Sequence, residues 1–218
     1  LSGVIAKVRY KSWEKKAMTH YGTQSFPSAE ERQKQEAAVF ERMPKISILV
    51  PLWNTPESFL TEMIGSVQRQ THKNSELCLA DGSDDAHAYV GEYCKRLAAQ
   101  DSRIVYQKLA KNEGISGNTN ECYKLASGEF IGLFDHDDIL HPCALYEYVK
   151  AINEKDADFI YCDEATFKSP DINKMITMHF KPDYAIDNLR ANNYICHFSV
   201  FSRELLDGTE LFRTKFDG

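Results

Sequence analysis

From position 45 onward, apolar residues come in short bursts that alternate between two rhythms. Ile46-Ser47-Ile48-Leu49-Val50 is a β-branched run closed by Pro51, the pattern of a buried strand. Thr55-Pro56-Glu57 then opens a helix, with Phe59, Leu60, Met63, Ile64 and Val67 at helical spacing. The same exchange repeats. Strands are predicted over residues 76–80, 103–108, 130–134 and 158–162. Helices are predicted over 86–99 and 114–126, and from Pro142 onward with Leu145, Val149 and Ile152 on one face. Past Asp163 the rhythm loosens into a loop with Pro170 and Pro182, a short helix over 185–190 and a strand over 194–201. Strand and helix alternating with short connections predict an α/β domain built on a mostly parallel central sheet flanked by helices. Residues 1–43 read differently. They are rich in Lys, Glu, Gln and Ala, and Ser28 with Glu31 has capping-box spacing. They are expected to form an N-terminal helical extension, with a helix over 29–42, preceding a domain over 44–218.

Composition narrows the class. The 218 residues are 43% hydrophobic and 27% charged, which excludes a disordered or fibrous chain. A net charge of −6 argues against a nucleic-acid partner, which would call for a basic face. No apolar run approaches the roughly 18 residues of a membrane span, so no transmembrane segment is expected. The first residue is Leu1 rather than Met, and the chain is expected to be a fragment of a longer protein. The six cysteines (78, 94, 122, 143, 162 and 196) contain no C-x-x-C pair. They read as free thiols in a reducing compartment, hence a cytoplasmic protein.

Ligands of open α/β sheets bind at the carboxyl ends of the strands. Here those ends carry Pro51-Leu52-Trp53-Asn54, Asp81-Gly82-Ser83-Asp84-Asp85, Asp135-His136-Asp137-Asp138 and Asp163-Glu164. Such a gathering of acids is costly unless a cation or donors neutralise it. In an extended segment Asp135 and Asp137 point to one side, with His136 and Asp138 turned away. Two hard oxygen ligands so placed suit Mg²⁺ or Mn²⁺. The same residues also fit an ordinary turn and helix start. An EF-hand does not fit, because Ile139 and Leu140 stand where its fifth and sixth positions need Asp or Asn and Gly. No glycine-rich dinucleotide fingerprint, P-loop, nucleophile elbow or zinc spacing occurs. Residues 112–120 form a small polar segment at a helix start, suited to a nucleotide or to plain capping by Ser116. His197 lies in an apolar run and reads either as a core histidine or as a ligand.

Taken in order, the blocks 46–54 (ISILVPLWN), 66–83 (SVQRQTHKNSELCLADGS), 112–128 (NEGISGNTNECYKLASG) and 129–138 (EFIGLFDHDD) resemble the family-two nucleotide-sugar glycosyltransferases of the GT-A fold. The late block 193–203 (NYICHFSVFSR) resembles the bacterial branch that builds surface polysaccharides. The resemblance covers residues 44–218, divided into a nucleotide-binding half (44–138) and an acceptor-side half (139–218). It implies an inverting, metal-assisted transfer of a sugar from a UDP- or dTDP-sugar to a hydroxyl of a glycan or lipid-linked glycan. The setting would be the cytoplasm, including the inner face of the membrane. The rival reading is a non-catalytic nucleotide-sugar-binding portion of a larger transferase. Residue by residue, the resemblance implies that Pro51 and Asn54 line the nucleoside pocket and that Asp81 accepts from the base. Gly114 and Asn118 would flank base and ribose. Asp135 and Asp137 would form the D-x-D pair, with Asp137 the more direct ligand of Mn or Mg, and His197 would sit near the diphosphate or metal. The catalytic base is expected in a motif after Phe216-Asp217-Gly218, beyond a chain truncated at its C-terminus, and turnover by this piece alone is expected to be poor. Asp163 and Glu164 are the in-chain candidates for the base.

Overall fold

The computed structural model describes residues 22–217. The expected N-terminal extension therefore lies in part outside the described residues, as does Gly218. From Gly22 a short 3-10 turn leads to α1 (Ala29–Glu36), whose start is the capping box expected from Ser28 and Glu31. The Ser28 hydroxyl accepts from the Glu31 N–H at 3.2 Å, and the Glu31 carboxylate accepts from the Ser28 N–H at 2.8 Å. The helix ends six residues earlier than predicted. Residues 37–42 carry no sustained apolar stripe, and the backbone of Arg42 bonds instead to the Asn153 side chain, at 2.8 and 2.9 Å.

The main domain is built on β1 (Ile46–Leu52), β2 (Ser75–Asp81), β3 (Ile104–Lys108), β4 (Phe130–Leu133), β5 (Phe159–Ile160) and β8 (Ser199–Ser202). These six strands form one sheet in the order β3-β2-β1-β4-β8-β5. The first four are mutually parallel, while β8 runs antiparallel to both β4 and β5. The helices α2 (Glu57–Gln68), α3 (Ala88–Ala98), α4 (Gly114–Leu125) and α5 (Ala144–Lys155) fall close to their predicted places, and α6 spans Ile186–Ala191. Strand alternation sorts the core into two layers. Ile46, Ile48, Val50 and Leu52 pack with buried residues of α2, α3 and α5, whereas Leu49, Cys78, Ala80 and Ile131 pack with Cys122 of α4.

Two expectations past Asp163 are corrected. The predicted loop contains an antiparallel hairpin, β6 (Glu164–Lys168) with β7 (Asp171–His179), turning at Ser169-Pro170. None of its strand residues is buried, so it lacks the buried apolar alternation that marks a half-buried strand. The predicted strand over 194–201 shrinks to β8, because the chain turns at His197, whose φ is +56°. Among the described residues, no helix is long and apolar enough to cross a membrane.

Candidate active site

The carboxyl end of β4 runs directly into residues 135–138, which form a turn rather than an extended segment: the Asp138 N–H reaches the Asp135 carbonyl at 3.3 Å. The turn overturns the expected alternation. Asp138 is brought round beside Asp135, and Asp137 is left exposed and outside the group. Asp135, Asp138 and His197 each offer a ligand atom, all within 4.8 Å of one another. The His197 Nδ1 lies 3.5 Å from an Asp135 oxygen and 3.3 Å from an Asp138 oxygen. His197 arrives from the loop before β8, the strand that pairs with β4, so the sheet itself carries the imidazole to the acids. Two carboxylates and an imidazole make a donor set suited to a divalent cation such as Mn²⁺ or Mg²⁺.

The electrostatics point the same way. Partial burial pushes the Asp138 carboxyl up to about 6. His197 opposes that shift, and the negative charges of Asp135, Asp137 and Glu164 add to it. The turn is anchored to the end of β1: the Thr55 hydroxyl and the His136 Nδ1 are 2.8 Å apart, and the Tyr89 hydroxyl donates to the Thr55 carbonyl at 2.7 Å.

Beside this cluster stand the ends of β1 and β2. Pro51 lies within β1, opposite Ala80. Asn54, at φ +50°, locks the two strand ends together. Its N–H donates to the Ser83 hydroxyl at 2.9 Å and its side chain donates to Asp84 at 3.0 Å. In return its side-chain oxygen accepts from the Asp84 N–H at 3.1 Å. Asp81 is 1% exposed. One of its oxygens accepts from the Ser83 N–H and the other from the Tyr106 hydroxyl, each at 2.8 Å. Lys108 stands 3.6 Å away and also donates to the Ser83 carbonyl. Burial, then the neighbouring Asp81, holds the Tyr106 hydroxyl well above its ordinary pKa, so Tyr106 stays a donor.

The segment before α4 is organised by Asn118. Its side-chain oxygen accepts from the Glu113 N–H at 2.9 Å, and its amide donates to Asn112 at 2.8 Å. Gly114 has φ +77°, and a Cβ there would come within 2.9 Å of Asp217. The Asp217 carboxylate accepts from the Ser116 N–H at 3.3 Å and from the Ser116 hydroxyl. The helix start that sequence offered to a nucleotide thus holds a carboxylate of the chain's own.

Asp163 and Glu164 are both engaged by Lys181. The Lys181 N–H donates to Asp163 at 2.7 Å, and its ammonium is 3.0 Å from Glu164. Sequence reasoning did not single out Asp138, Tyr106, Lys181 or Asp217. Asp138 stood in the quoted D-H-D-D string, but only a turn selects it over Asp137. The other three carried no local signal.

The model of "Glycosyl transferase family 2" matches residues 47–209. An uncharacterized protein of Sinorhizobium fredii is 40% identical over 177 residues, covering 80% of this chain and 19% of that protein. The O-antigen biosynthesis protein RfbC of Myxococcus xanthus is 31% identical over 186 residues, covering 84% of this chain and 14% of that protein. The chain therefore spans under a fifth of the length of these two relatives. Among solved structures, a mannosyltransferase from Pyrobaculum calidifontis, in complex with GDP-Man and Mn²⁺, superposes with a TM-score of 0.54. At 17% identity over 81% of this chain and 51% of that one, the likeness is one of fold.

Proposed function

Because the chain belongs to glycosyl transferase family 2, we propose that it moves a sugar from a nucleotide-diphosphate sugar to a hydroxyl of a surface-glycan acceptor. The family match and the O-antigen relative support this class of reaction. Inversion at the sugar carbon and a UDP or dTDP donor are the finer parts of the proposal, resting on the family resemblance. The observation that carries the reading is the gathering of Asp135, Asp138 and His197 at the carboxyl end of β4, beside the end of β1.

In this reading Asp135, Asp138 and His197 hold the cation. A divalent ion there offsets the charge that collects on the departing diphosphate. Asn54 and Asp84 form the rim where the nucleoside would lie. Asp81, buried and bonded to the Ser83 N–H and the Tyr106 hydroxyl, would hold those groups in place at the end of β2. Gly114 and Asn118 shape the opposite wall. Displacing the Asp217 carboxylate from the start of α4 would open that wall's N–H groups to the donor.

A second reading, a nucleotide-sugar-binding portion without turnover of its own, is favoured by one observation. Asp163 and Glu164, the two in-chain acids considered for deprotonating the acceptor, are already tied to Lys181. Calorimetric titration with UDP, dTDP and GDP, with and without Mn²⁺, tests the shared premise. Tight binding that depends on the metal is expected. Equal affinity without the ion would remove the cation from the proposal. Sugar transfer by the isolated chain would decide for the enzyme over the binding module.

A further inference from the structure

We propose that Lys181 is a positioning residue for the cation site: it fixes the backbone of the loop that delivers His197. The inference rests on the reading of Asp135, Asp138 and His197 as cation ligands. The Lys181 side chain is only 5% exposed, and an ammonium that is taken out of water needs partners for its three N–H donors. It has three. It donates to the His197 carbonyl at 2.6 Å and to the Cys196 carbonyl, and it lies 3.0 Å from the Glu164 carboxylate. Two of the three partners are therefore consecutive carbonyls at the residue whose ring faces Asp135 and Asp138.

The backbone there needs such a hold. His197 has φ +56°, a region that a residue with a Cβ seldom occupies unless its surroundings impose it. Lys181 itself is secured from the other side, because its own N–H donates to Asp163 at 2.7 Å. It lies two residues past β7, so the hairpin and the cation site share one buried pivot.

Charge and position make opposite predictions, which separates them. If Lys181 mattered to the cation only as a nearby positive charge, removing it would relieve repulsion and tighten metal binding. If it holds His197 in place, removing it loosens a ligand and weakens binding, as loss of groups that orient metal ligands does.

The test uses Lys181→Met and the double variant Lys181→Met/Glu164→Gln, which leaves no unpaired carboxylate should the single change fail to fold. Circular dichroism checks folding, and MnCl₂ alone is titrated by calorimetry at pH 7.5. Mn²⁺ affinity is expected to fall by about tenfold or more in the folded variants. At Mn²⁺ concentrations near the parent's Kd, the His197 ring resonances should broaden less in the variants than in the parent, in step with the weaker occupancy. Affinity equal to or tighter than the parent's in the double variant would overturn the role of Lys181. If His197→Ala still abolishes Mn²⁺ binding in that case, the cation reading survives without Lys181. If the parent binds no Mn²⁺ at all, the cation reading fails and the proposal fails with it.

Discussion

At the scale of single residues, the candidate site depends on which acid turns toward His197. Asp138→Asn should weaken Mn²⁺ binding by about tenfold or more, and Asp137→Asn, at an exposed side chain outside the group, by much less. Calorimetry on the two variants checks this ranking, and the reverse order would restore the D-x-D spacing as the ligand pair. The pH dependence has a defined sign. The Asp138 carboxyl sits at about 6, above its ordinary value, so the metal-free native state binds a proton between about pH 4 and 6 that the unfolded chain has released. Metal-free stability attributable to this group therefore declines as pH rises through that window. Metal affinity should move the other way, weakening as pH falls through about 6, because a ligating carboxylate must be deprotonated. Melting curves between pH 4 and 8 and Mn²⁺ titrations between pH 5 and 8 would reveal the opposite trends, and a pH-independent Mn²⁺ affinity would count against Asp138 as a ligand.

Among elements, the two ends of the sheet do different work. At the amino end, Glu76 of β2 is buried and binds across to β1 and to the loop before β4. Ser47 donates to it at 2.6 Å, the Ser127 hydroxyl donates at 3.0 Å, and Lys45 pairs with it. Burial pushes the Glu76 carboxyl up, but these hydrogen bonds outweigh it and leave the group below its ordinary value. That contribution to stability is present above the ordinary carboxylate range and is lost as pH falls through the lowered value. Glu76→Gln should cost about 2 kcal/mol in urea unfolding while leaving Mn²⁺ affinity unchanged. A matching loss of Mn²⁺ binding would show that the two sheet ends are not independent. The predicted elements β1, β2, β4, α2, α3 and α5 were legible because each buries an apolar run or face, whereas α4, which buries Asn118, Thr119 and Cys122, was marked by its small polar start. The hairpin β6–β7 was not legible, since its exposed residues carry no such period and its pairing is set by the partner strand.

For the whole molecule, the decisive feature is β8, inserted antiparallel between β4 and β5 after a long excursion through the hairpin and α6. Phe198 seats that return. Its ring is 5.6 Å from Phe134 and stacks 5.5 Å from Tyr148, and its carbonyl accepts from the Tyr148 hydroxyl at 2.6 Å. Phe198→Ala should destabilise the fold by about 3 kcal/mol through the cavity it leaves. It should also weaken Mn²⁺ binding, because His197 is the preceding residue. Retained Mn²⁺ affinity in the folded variant would argue that the loop is held by other contacts. From sequence alone came the α/β class, the succession along the chain of the first four strands and the helices between them, and the family resemblance carried by the strand-end strings. Those features are local: apolar periodicity, turn residues and short connections act within a few positions of one another. The tertiary structure alone decided that Asp138 rather than Asp137 meets His197, that Lys181 holds the loop behind it, and that Asp217 occupies the start of α4. Each of those depends on a turn's handedness or on segments far apart in the chain meeting in space, which no pattern of neighbouring residues encodes.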